Sequence, residues 1–327
     1  MIDERLTKIA LLVIKGLDLG IDDALYLTQA PLFELLFWAN YLREKFKDKK
    51  IDTCSIINAK SGKCSEDCKF CAQSALYQTQ ILTHPLVEEK KILAEAHQAK
   101  LDGAKRFGIV TSGRKLNSKE IERVCQAIKS LNQEGEILPC ASLGKLTLEY
   151  IHFLKEVGLK RYHHNLETSE DFFSKLCLSH SHAERVETIK LVKEAGLEVC
   201  SGGIFGVGET WQDRINVAFK LRELRVDSIP LNFLNPISGT PLSSIERIAP
   251  FEILRIIALF RFIHPQRDIR LGGGRDVNLR DLQAWMYYAG ANGVMIGNYL
   301  TTSGRPPEED LRFIKDFELE VGLERKD

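Results

Sequence analysis

The sequence predicts an α/β protein whose core is a closed parallel (β/α)8 barrel of the TIM type. Eight short strand-like runs alternate with amphipathic helical runs, which is the pattern of a parallel α/β fold. Glycine often ends a helix just before the next strand, as at Gly158 and Gly196. Eight β/α pairs are the number that closes a TIM-type barrel. An open doubly wound sheet is the alternative, because alternation alone fits both folds.

The strands and helices can be placed in order along the chain. The predicted strands are residues 51–57, 106–111, 137–142, 161–167, 198–204, 227–234, 269–273 and 293–297. The predicted helices are residues 87–101, 118–131, 147–157, 183–195, 210–224, 250–263, 279–288 and 307–320. No Ser/Gly-rich linker or low-complexity tract divides the chain. We therefore predict that residues 1–48 are helices packed across the barrel and that residues 49–327 form the barrel as one structural unit.

The predicted barrel interior is unusually polar. Side chains alternate faces along a strand, and barrel interiors normally prefer branched apolar residues. Leaving such polar groups without partners would cost on the order of a few kcal/mol each. A substrate, a cofactor or a second metal centre explains them better than a mutually satisfied polar core, which is the alternative. The residues with inward parity are Cys54, Asn58, Gly108, Cys140, Ser142, Asn165, Glu167, Cys200, Asn232 and Arg270.

Cys64, Cys68 and Cys71 form a C-x3-C-x2-C motif, which supplies three close thiolates and no local fourth ligand. Soft thiolates select zinc or iron–sulfur clusters. A structural zinc site would want a fourth Cys or His at similar range, but the next histidine is His84. Three ligands on a four-iron cluster leave one iron open, so the motif favours such a cluster. The alternative is a set of ordinary reduced cysteines.

The composition indicates where the protein is located and which classes of partner it lacks. The 327 residues include 45 Lys and Arg against 45 Asp and Glu, so nothing indicates the basic surface of a nucleic-acid binder. The first residues lack a basic region followed by an apolar stretch, and no long uncharged apolar run follows. We therefore expect a cytoplasmic protein without a membrane or nucleic-acid partner. Its eight cysteines are expected to be reduced thiols or metal ligands.

Beyond these physical arguments, the cysteine spacing and the aromatic Phe70 resemble the signature of radical S-adenosylmethionine (SAM) enzymes, in which the open iron binds SAM. A series of runs across nearly the whole chain resembles the biotin synthase family in particular. The runs are residues 58–71 (NAKSGKCSEDCKFC), 162–169 (YHHNLETS), 199–209 (VCSGGIFGVGE), Asn232 with 236–242 (PISGTPL), and 269–275 (IRLGGGR).

This resemblance implies a radical-SAM barrel that inserts sulfur into dethiobiotin to form biotin. It implies a four-iron, four-sulfur cluster, SAM, and an internal auxiliary iron–sulfur cluster as the sulfur donor. The auxiliary cluster would have two irons by resemblance, with its nuclearity open in this chain. The resemblance also implies a homodimer and an external one-electron donor such as flavodoxin or ferredoxin.

Matched residue by residue, the resemblance assigns Cys64, Cys68 and Cys71 to the four-iron cluster. The cofactor-binding residues would be Phe70 beside the adenine, Arg185 at the SAM carboxylate, Asn165 and Glu167 near the ribose, and Ile204. Glu167 stands where many members have Asp. The substrate-binding residues would be Asn165 and Asn232. Asn232 matches the amide that reads the ureido ring, and an amide offers both a donor and an acceptor to a cyclic urea.

Cys140, Cys200 and Arg270 match three of the four ligands of the auxiliary cluster. The fourth does not match, because Gly108 stands where the family's common pattern has Cys and glycine cannot ligate iron. Cys54 has inward parity on the neighbouring strand, so we predict it as a replacement ligand; a core thiol is the alternative.

Two other functions remain open. One is another radical-SAM barrel, of the [FeFe]-hydrogenase maturase or methylornithine synthase type, against which Cys140 and Cys200 argue. The other is a non-catalytic iron–sulfur or zinc-binding protein, which leaves the polar interior unexplained.

Overall fold

The computed structural model describes residues 2–323. Residue 1 and residues 324–327, which the predicted ranges 1–48 and 49–327 include, lie outside the described residues. Within residues 2–323, no helix is both long enough and apolar enough to cross a membrane.

Eight parallel strands close into a barrel, as predicted. The order around it is β1-β2-β3-β4-β5-β7-β8-β9, and β9 pairs back with β1 where Asp52, Thr53 and Cys54 face residues 293–295. Two short strands lie outside this ring, since β6 pairs with β7 and β10 pairs with the start of β1. The strands are β1 (Lys50–Lys60), β2 (Arg106–Thr111), β3 (Leu138–Ser142), β4 (Arg161–His163), β5 (Glu198–Cys200), β6 (Gly203–Phe205), β7 (Ser228–Phe233), β8 (Asp268–Leu271), β9 (Gly293–Met295) and β10 (Glu320–Val321).

The fourth and fifth strands are shorter than predicted, for a local backbone reason. The predicted strand 161–167 ends at His163, and Glu167 adopts a left-handed conformation with φ of 69° that an extended strand does not allow. The predicted strand 198–204 divides at Gly202, where the chain comes so close to β7 that a Cβ would lie 1.9 Å from the Pro230 carbonyl oxygen. Glu167, Cys200 and Ile204, at or beside these interruptions, line the cavity described below.

The helices lie between successive strands on the outside of the barrel. The predicted helix 279–288 is broken, because Arg280 has a φ of 52°. The predicted helix 307–320 ends at Asp316, and the helices Glu170–Leu176 and Arg275–Leu279 were not predicted. The helices are α1 (Glu4–Ile14), α2 (Ile21–Leu27), α3 (Leu32–Lys47), α4 (Glu89–Leu101), α5 (Ser118–Glu134), α6 (Leu148–Glu156), α7 (Glu170–Leu176), α8 (His182–Glu194), α9 (Trp211–Glu223), α10 (Pro250–Ile263), α11 (Arg275–Leu279), α12 (Trp285–Tyr288) and α13 (Pro307–Asp316).

The N-terminal helices pack against the outer helices of the barrel. Helix α3 lies on α10 and buries Leu35, Leu36 and Ala39. Arg255 of α10 donates hydrogen bonds to the carbonyl oxygens of Leu27 and Ala30, at 3.2 and 2.6 Å. The division of the chain into residues 1–48 and 49–327 stays a prediction.

Candidate active site

One cavity of about 460 Å³ opens at the carboxyl ends of the barrel strands. Its volume lies in the range of small-molecule sites, which are about 300–1,000 Å³. The position agrees with the end of a barrel where sites are built from strand ends and loops. All the predicted site residues line it: Cys54, Cys64, Cys68, Phe70, Cys71, Cys140, Asn165, Glu167, Arg185, Cys200, Ile204, Asn232 and Arg270.

The three cysteines of the C-x3-C-x2-C motif lie on a compact loop after β1. The loop is closed by backbone hydrogen bonds from Cys64 to Gln73 over 3.0 Å and from Cys71 to Cys68 over 2.9 Å. Burial raises the pKa of Cys71 to about 11. A hydrogen bond to Cys177, together with burial, raises the pKa of Cys68 well above its usual value. Metal binding at this loop therefore requires the release of protons.

A second loop, following α7, holds the cysteine loop in place. Asp67 accepts backbone hydrogen bonds from Leu178 and Ser179, both over 2.9 Å. Burial opposes ionisation of Asp67, but these bonds and one from the Cys177 thiol hold its pKa well below the usual range. The Sγ atoms of Cys177 and Cys68 are 3.7 Å apart. The loop after α7 thus contacts a proposed cluster ligand directly.

A second group of thiols lies deeper in the barrel. Cys54, Cys140 and Cys200 come from β1, β3 and β5, and the charge of Arg270 acts on the thiols of Cys54 and Cys140. Burial raises the pKa of Cys140 to about 11. Gly108 pairs with Cys140 in the sheet and contributes no side chain.

Arg270 forms a buried ion pair with Asp52, a residue that the sequence analysis missed. Arg270 Nη2 lies 2.6 Å from Asp52 Oδ2, which is also 2.9 Å from Arg106 Nε and 3.5 Å from Arg161 Nη1. Nη1 of Arg270 is buried without a hydrogen-bond partner among the described residues. The sequence could have indicated these contacts, because Asp52, Arg106 and Arg161 have inward parity at the starts of β1, β2 and β4. An unpaired donor beside three soft thiols fits an iron–sulfur centre.

Arg185, Glu167 and Asn165 form a polar group near the mouth. Arg185 Nη1 donates to the Asn165 carbonyl oxygen over 2.9 Å and lies 3.4 Å from Glu167 Oε1. The Asn165 side chain donates to Glu167 Oε2 over 3.3 Å and accepts from Gly202 N–H over 3.1 Å. These contacts fix a charged and amide-lined wall that can bind a zwitterionic ligand.

Asn232 lies at the end of β7 with its amide partly used by the backbone. Its Nδ2 donates to the Gly203 carbonyl over 3.2 Å and its Oδ1 accepts from Gly273 N–H over 2.9 Å. One amide hydrogen and one oxygen lone pair remain for a ligand. Ile204 and Phe70 add apolar surface nearby, where both pack against one small hydrophobic cluster.

Burial disfavours the charged form of two histidines on the wall. Burial lowers the pKa of His163 to about 4 and holds that of His164 well below its usual value. This agrees with a packing role rather than proton transfer.

Cys125 lies outside the cavity, half-buried on α5, where burial raises its pKa to about 11.

The sequence analysis also missed Glu66 and His180. His180 Nδ1 lies 2.6 Å from Glu66 Oε2, and His180 Nε2 accepts a hydrogen bond from Arg185 Nε over 3.0 Å. No residue spacing signals this contact, because Glu66 and His180 are far apart in the chain and meet only when the cysteine loop lies against the loop after α7.

Two family models match the chain. The Radical SAM superfamily model matches residues 59–221, and the Biotin and Thiamin Synthesis associated domain model matches residues 230–320. Together they cover the barrel strands apart from most of β1 and the first two residues of β7.

Curated relatives match nearly end to end. The chain is 50% identical over 313 residues to the biotin synthase of Geobacter sulfurreducens, which covers 94% of this chain and 95% of that protein. It is 49% identical over 296 residues to the biotin synthase of Thermodesulfovibrio yellowstonii, covering 90% of this chain and 93% of that protein.

Solved structures share the fold at low identity. Methylornithine synthase has a TM-score of 0.82 at 20% identity, covering 96% of this chain and 97% of that chain. A maturase of the [FeFe]-hydrogenase, HydG, has a TM-score of 0.81 at 15% identity, covering 97% of this chain and 75% of that chain. These likenesses support the barrel and say nothing about the reaction.

Proposed function

The chain belongs to the biotin synthase family of radical SAM enzymes, and we propose that it inserts sulfur into dethiobiotin by using two iron–sulfur centres at different depths of one cavity. The observation that carries this proposal is the placement of two separate cysteine groups around the same cavity of about 460 Å³. One group lies on the loop after β1, and the other lies on inward positions of the barrel strands.

When bound, the four-iron cluster and SAM would supply a 5'-deoxyadenosyl radical that abstracts hydrogen from dethiobiotin, and the auxiliary centre would supply the sulfur. Cys64, Cys68 and Cys71 would hold the outer cluster, with one iron open to SAM. Arg185 would bind the SAM carboxylate, while Asn232 would orient the ureido ring of the substrate with its remaining donor and acceptor. Such positioning is the protein's main contribution where the cofactor performs the hard chemistry.

We further propose Cys54, Cys140, Cys200 and Arg270 as ligands of the auxiliary centre. Cys54 supports this because the charge of Arg270, itself fixed by Asp52, acts on its thiol. Gly108, on the strand between β1 and β3, contributes no side chain where the common ligand would stand. The iron and sulfide content of the reconstituted protein measures the nuclearity of this centre.

The interior thiols also favour sulfur insertion over the methylornithine synthase and hydrogenase maturase types that share this fold. A reaction without an internal sulfur source gives no reason for Cys140 and Cys200 to line the cavity. A non-catalytic metal protein would not need the arginine and amides on the wall.

The proposal is tested on anaerobically reconstituted protein by measuring iron, sulfide, 5'-deoxyadenosine and biotin. We expect more iron than one four-iron cluster can hold, and biotin formation that depends on SAM and dethiobiotin. Cys140→Ala should retain SAM cleavage and lose biotin, whereas Cys125→Ala, which changes a cysteine outside the cavity, should retain both. Iron equal to one cluster together with full biotin yield would contradict the two-centre proposal.

We also propose that the chain forms a homodimer. An exposed aromatic patch supports it: Phe33, Phe37 and Phe251 are each at least 50% exposed, and the Phe33 ring lies 6.2 Å from Phe251 and 6.4 Å from Trp285. Apolar surface of this kind often marks an interface. Light scattering should give a dimer for the parent and a monomer for Phe37→Glu; an unchanged dimer would place the interface elsewhere.

The reducing partner and the location complete the proposal. An external one-electron donor such as flavodoxin or ferredoxin would reduce the outer cluster, as the family resemblance implies. A cytoplasmic location suits the eight cysteines, none of which is in a disulfide. Omitting the donor from the assay should abolish SAM cleavage, and a purified donor protein should restore it.

A further inference from the structure

Glu66, His180 and Arg185 form a hydrogen-bonded series along the cavity wall. Arg185 Nε donates to His180 Nε2 over 3.0 Å, and His180 Nδ1 lies 2.6 Å from Glu66 Oε2. Glu66 belongs to the cysteine loop between Cys64 and Cys68, whereas Arg185 belongs to α8. His180 therefore connects the loop proposed to carry the cluster with the residue proposed to bind SAM.

The chemistry of arginine fixes the direction of these bonds. A guanidinium group only donates hydrogen bonds and stays protonated. His180 Nε2 must therefore carry the lone pair, so Nδ1 carries the proton that the Glu66 carboxylate accepts. Ser179 Oγ also donates to Glu66 Oε2, over 2.7 Å, which holds the carboxylate in place. The imidazole ring of His180 is thus oriented from both sides.

The remaining contacts of Arg185 show what this orientation achieves. Nη1 donates to the Asn165 carbonyl over 2.9 Å and lies 3.4 Å from Glu167 Oε1, and the guanidinium carbon lies 5.8 Å from the centre of the Phe173 ring. Within residues 2–323, Nη2 makes no hydrogen bond to another residue, and Arg185 lines the cavity. The guanidinium is held at Nε and Nη1, which leaves Nη2 for a ligand carboxylate.

We propose that His180, oriented by Glu66, is a positioning residue that holds Arg185 in the orientation that binds the SAM carboxylate. The inference rests on the proposed function, which assigns that carboxylate to Arg185. Because Glu66 lies within the cysteine loop, the hydrogen bonds from Glu66 through His180 to Arg185 also make SAM binding depend on the loop that holds the cluster. An imidazole acceptor at Arg185 Nε is worth about tenfold in SAM affinity, the scale of a hydrogen bond to a charged group.

A metal site is the competing interpretation of the same side chains. One ligand atom each from Cys68, Cys177 and His180 lie within 4.8 Å of one another. In the arrangement described above, however, Nδ1 carries a proton and the lone pair of Nε2 is occupied by Arg185. Neither ring nitrogen is then available to a metal, so the geometry favours the positioning role.

The experiment uses the full chain with its cluster reconstituted anaerobically. The SAM dissociation constant is read from the change that SAM causes in the electron paramagnetic resonance signal of the reduced cluster, and iron, sulfide and zinc are quantified in each sample. His180→Leu, which removes the acceptor, should raise the dissociation constant about tenfold without loss of iron. His180→Gln, which keeps an acceptor oxygen, should recover most of that affinity.

His182→Leu is the matched control. His182 and His180 both pack edge-on against Phe173, at ring distances of 5.6 and 5.5 Å, but the hydrogen bond from Arg185 goes to His180. We expect the control to bind SAM as the parent does. If His180→Leu carries a full cluster and binds SAM with the parental affinity, the positioning role of His180 is overturned. Loss of iron or zinc that glutamine does not restore would also overturn it, since His180 would then be a ligand. If the parent carries its cluster but its electron paramagnetic resonance signal does not change with SAM, the proposed function, on which the positioning role depends, is refuted instead.

Discussion

Arg270 and Asp52 are joined by a buried hydrogen bond of 2.6 Å between Nη2 and Oδ2. Asp52 lies two residues before Cys54 on β1, so one strand both fixes the arginine of the proposed auxiliary site and supplies a thiol to it. The same carboxylate lies 2.9 Å from Arg106 Nε, which draws β2 into the contact. The floor of the cavity is therefore an ionic network rather than a layer of branched apolar side chains.

Asp52→Asn should destabilise the protein strongly, because it leaves buried guanidinium groups with a weakened partner. Breaking a buried ion pair on one side costs roughly 3–5 kcal/mol. The measurement is urea unfolding of cluster-free protein under reducing conditions. Glu320→Gln serves as the control, since it removes an exposed pair with Lys50 on the same strand edge and should change the unfolding free energy by only about 0–1 kcal/mol. Similar losses in the two variants would contradict the importance of the network.

Asp268 should make stability depend on pH. Burial opposes its charge, but Lys47 and Arg161 hold its pKa well below the usual range. A carboxyl group with a lowered folded-state pKa stabilises the protein above its unfolded pKa of about 3.9, and this contribution is lost as the pH falls toward the folded value. Asp268→Asn should therefore be less stable than the parent at neutral pH and should lose less further stability on acidification. Parallel urea midpoints for the two proteins across acid pH would exclude this contribution.

Cys64→Ala, Cys68→Ala and Cys71→Ala should each abolish reductive SAM cleavage and leave the barrel folded. These residues lie on a loop after β1 rather than in the packed core, so their loss should remove the cluster and not the fold. Circular dichroism checks folding, and 5'-deoxyadenosine measures cleavage. A variant that produces 5'-deoxyadenosine at the parental rate would remove the assignment.

The barrel could be predicted because strand alternation and parity are local properties of the sequence. The same parity placed Cys140, Cys200 and Arg270 among the residues that face the cavity, as the structure shows. Glu66 and His180 could not be predicted, because their contact depends on how two loops pack and follows no period. The break at Arg280 was missed for a different reason: a left-handed residue other than glycine is imposed by its surroundings and has no sequence signal.

Asn232→Ala should weaken dethiobiotin binding by about 1–3 kcal/mol, the cost of leaving a polar partner unpaired. The alanine also removes hydrogen bonds to the backbone at Gly203 and Gly273, so Asn232→Asp is the sharper variant. Aspartate can still accept from Gly273 N–H, but it can donate neither to the Gly203 carbonyl nor to a ureido carbonyl. Both variants should lose substrate affinity in equilibrium binding while retaining SAM affinity. Unchanged dethiobiotin affinity in both would move the contact elsewhere.

Cys54→Ser should retain SAM cleavage, which depends on the outer cluster, and lose sulfur insertion. Oxygen is a harder ligand than sulfur and a poor one for an iron–sulfur centre. Gly108→Cys offers a direct complement, because a Cβ at this position would lie 3.0 Å from Cγ2 of Ile56 and would require only a small shift of that side chain. In the Cys54→Ser background it would return a thiol beside Cys140, its partner in the sheet. We expect the single variant to lose auxiliary iron and sulfide and the double variant to recover part of both. Full biotin yield from Cys54→Ser with undiminished iron and sulfide would show that Cys54 is a core thiol, and Cys140, Cys200 and Arg270 would then be the ligands to examine.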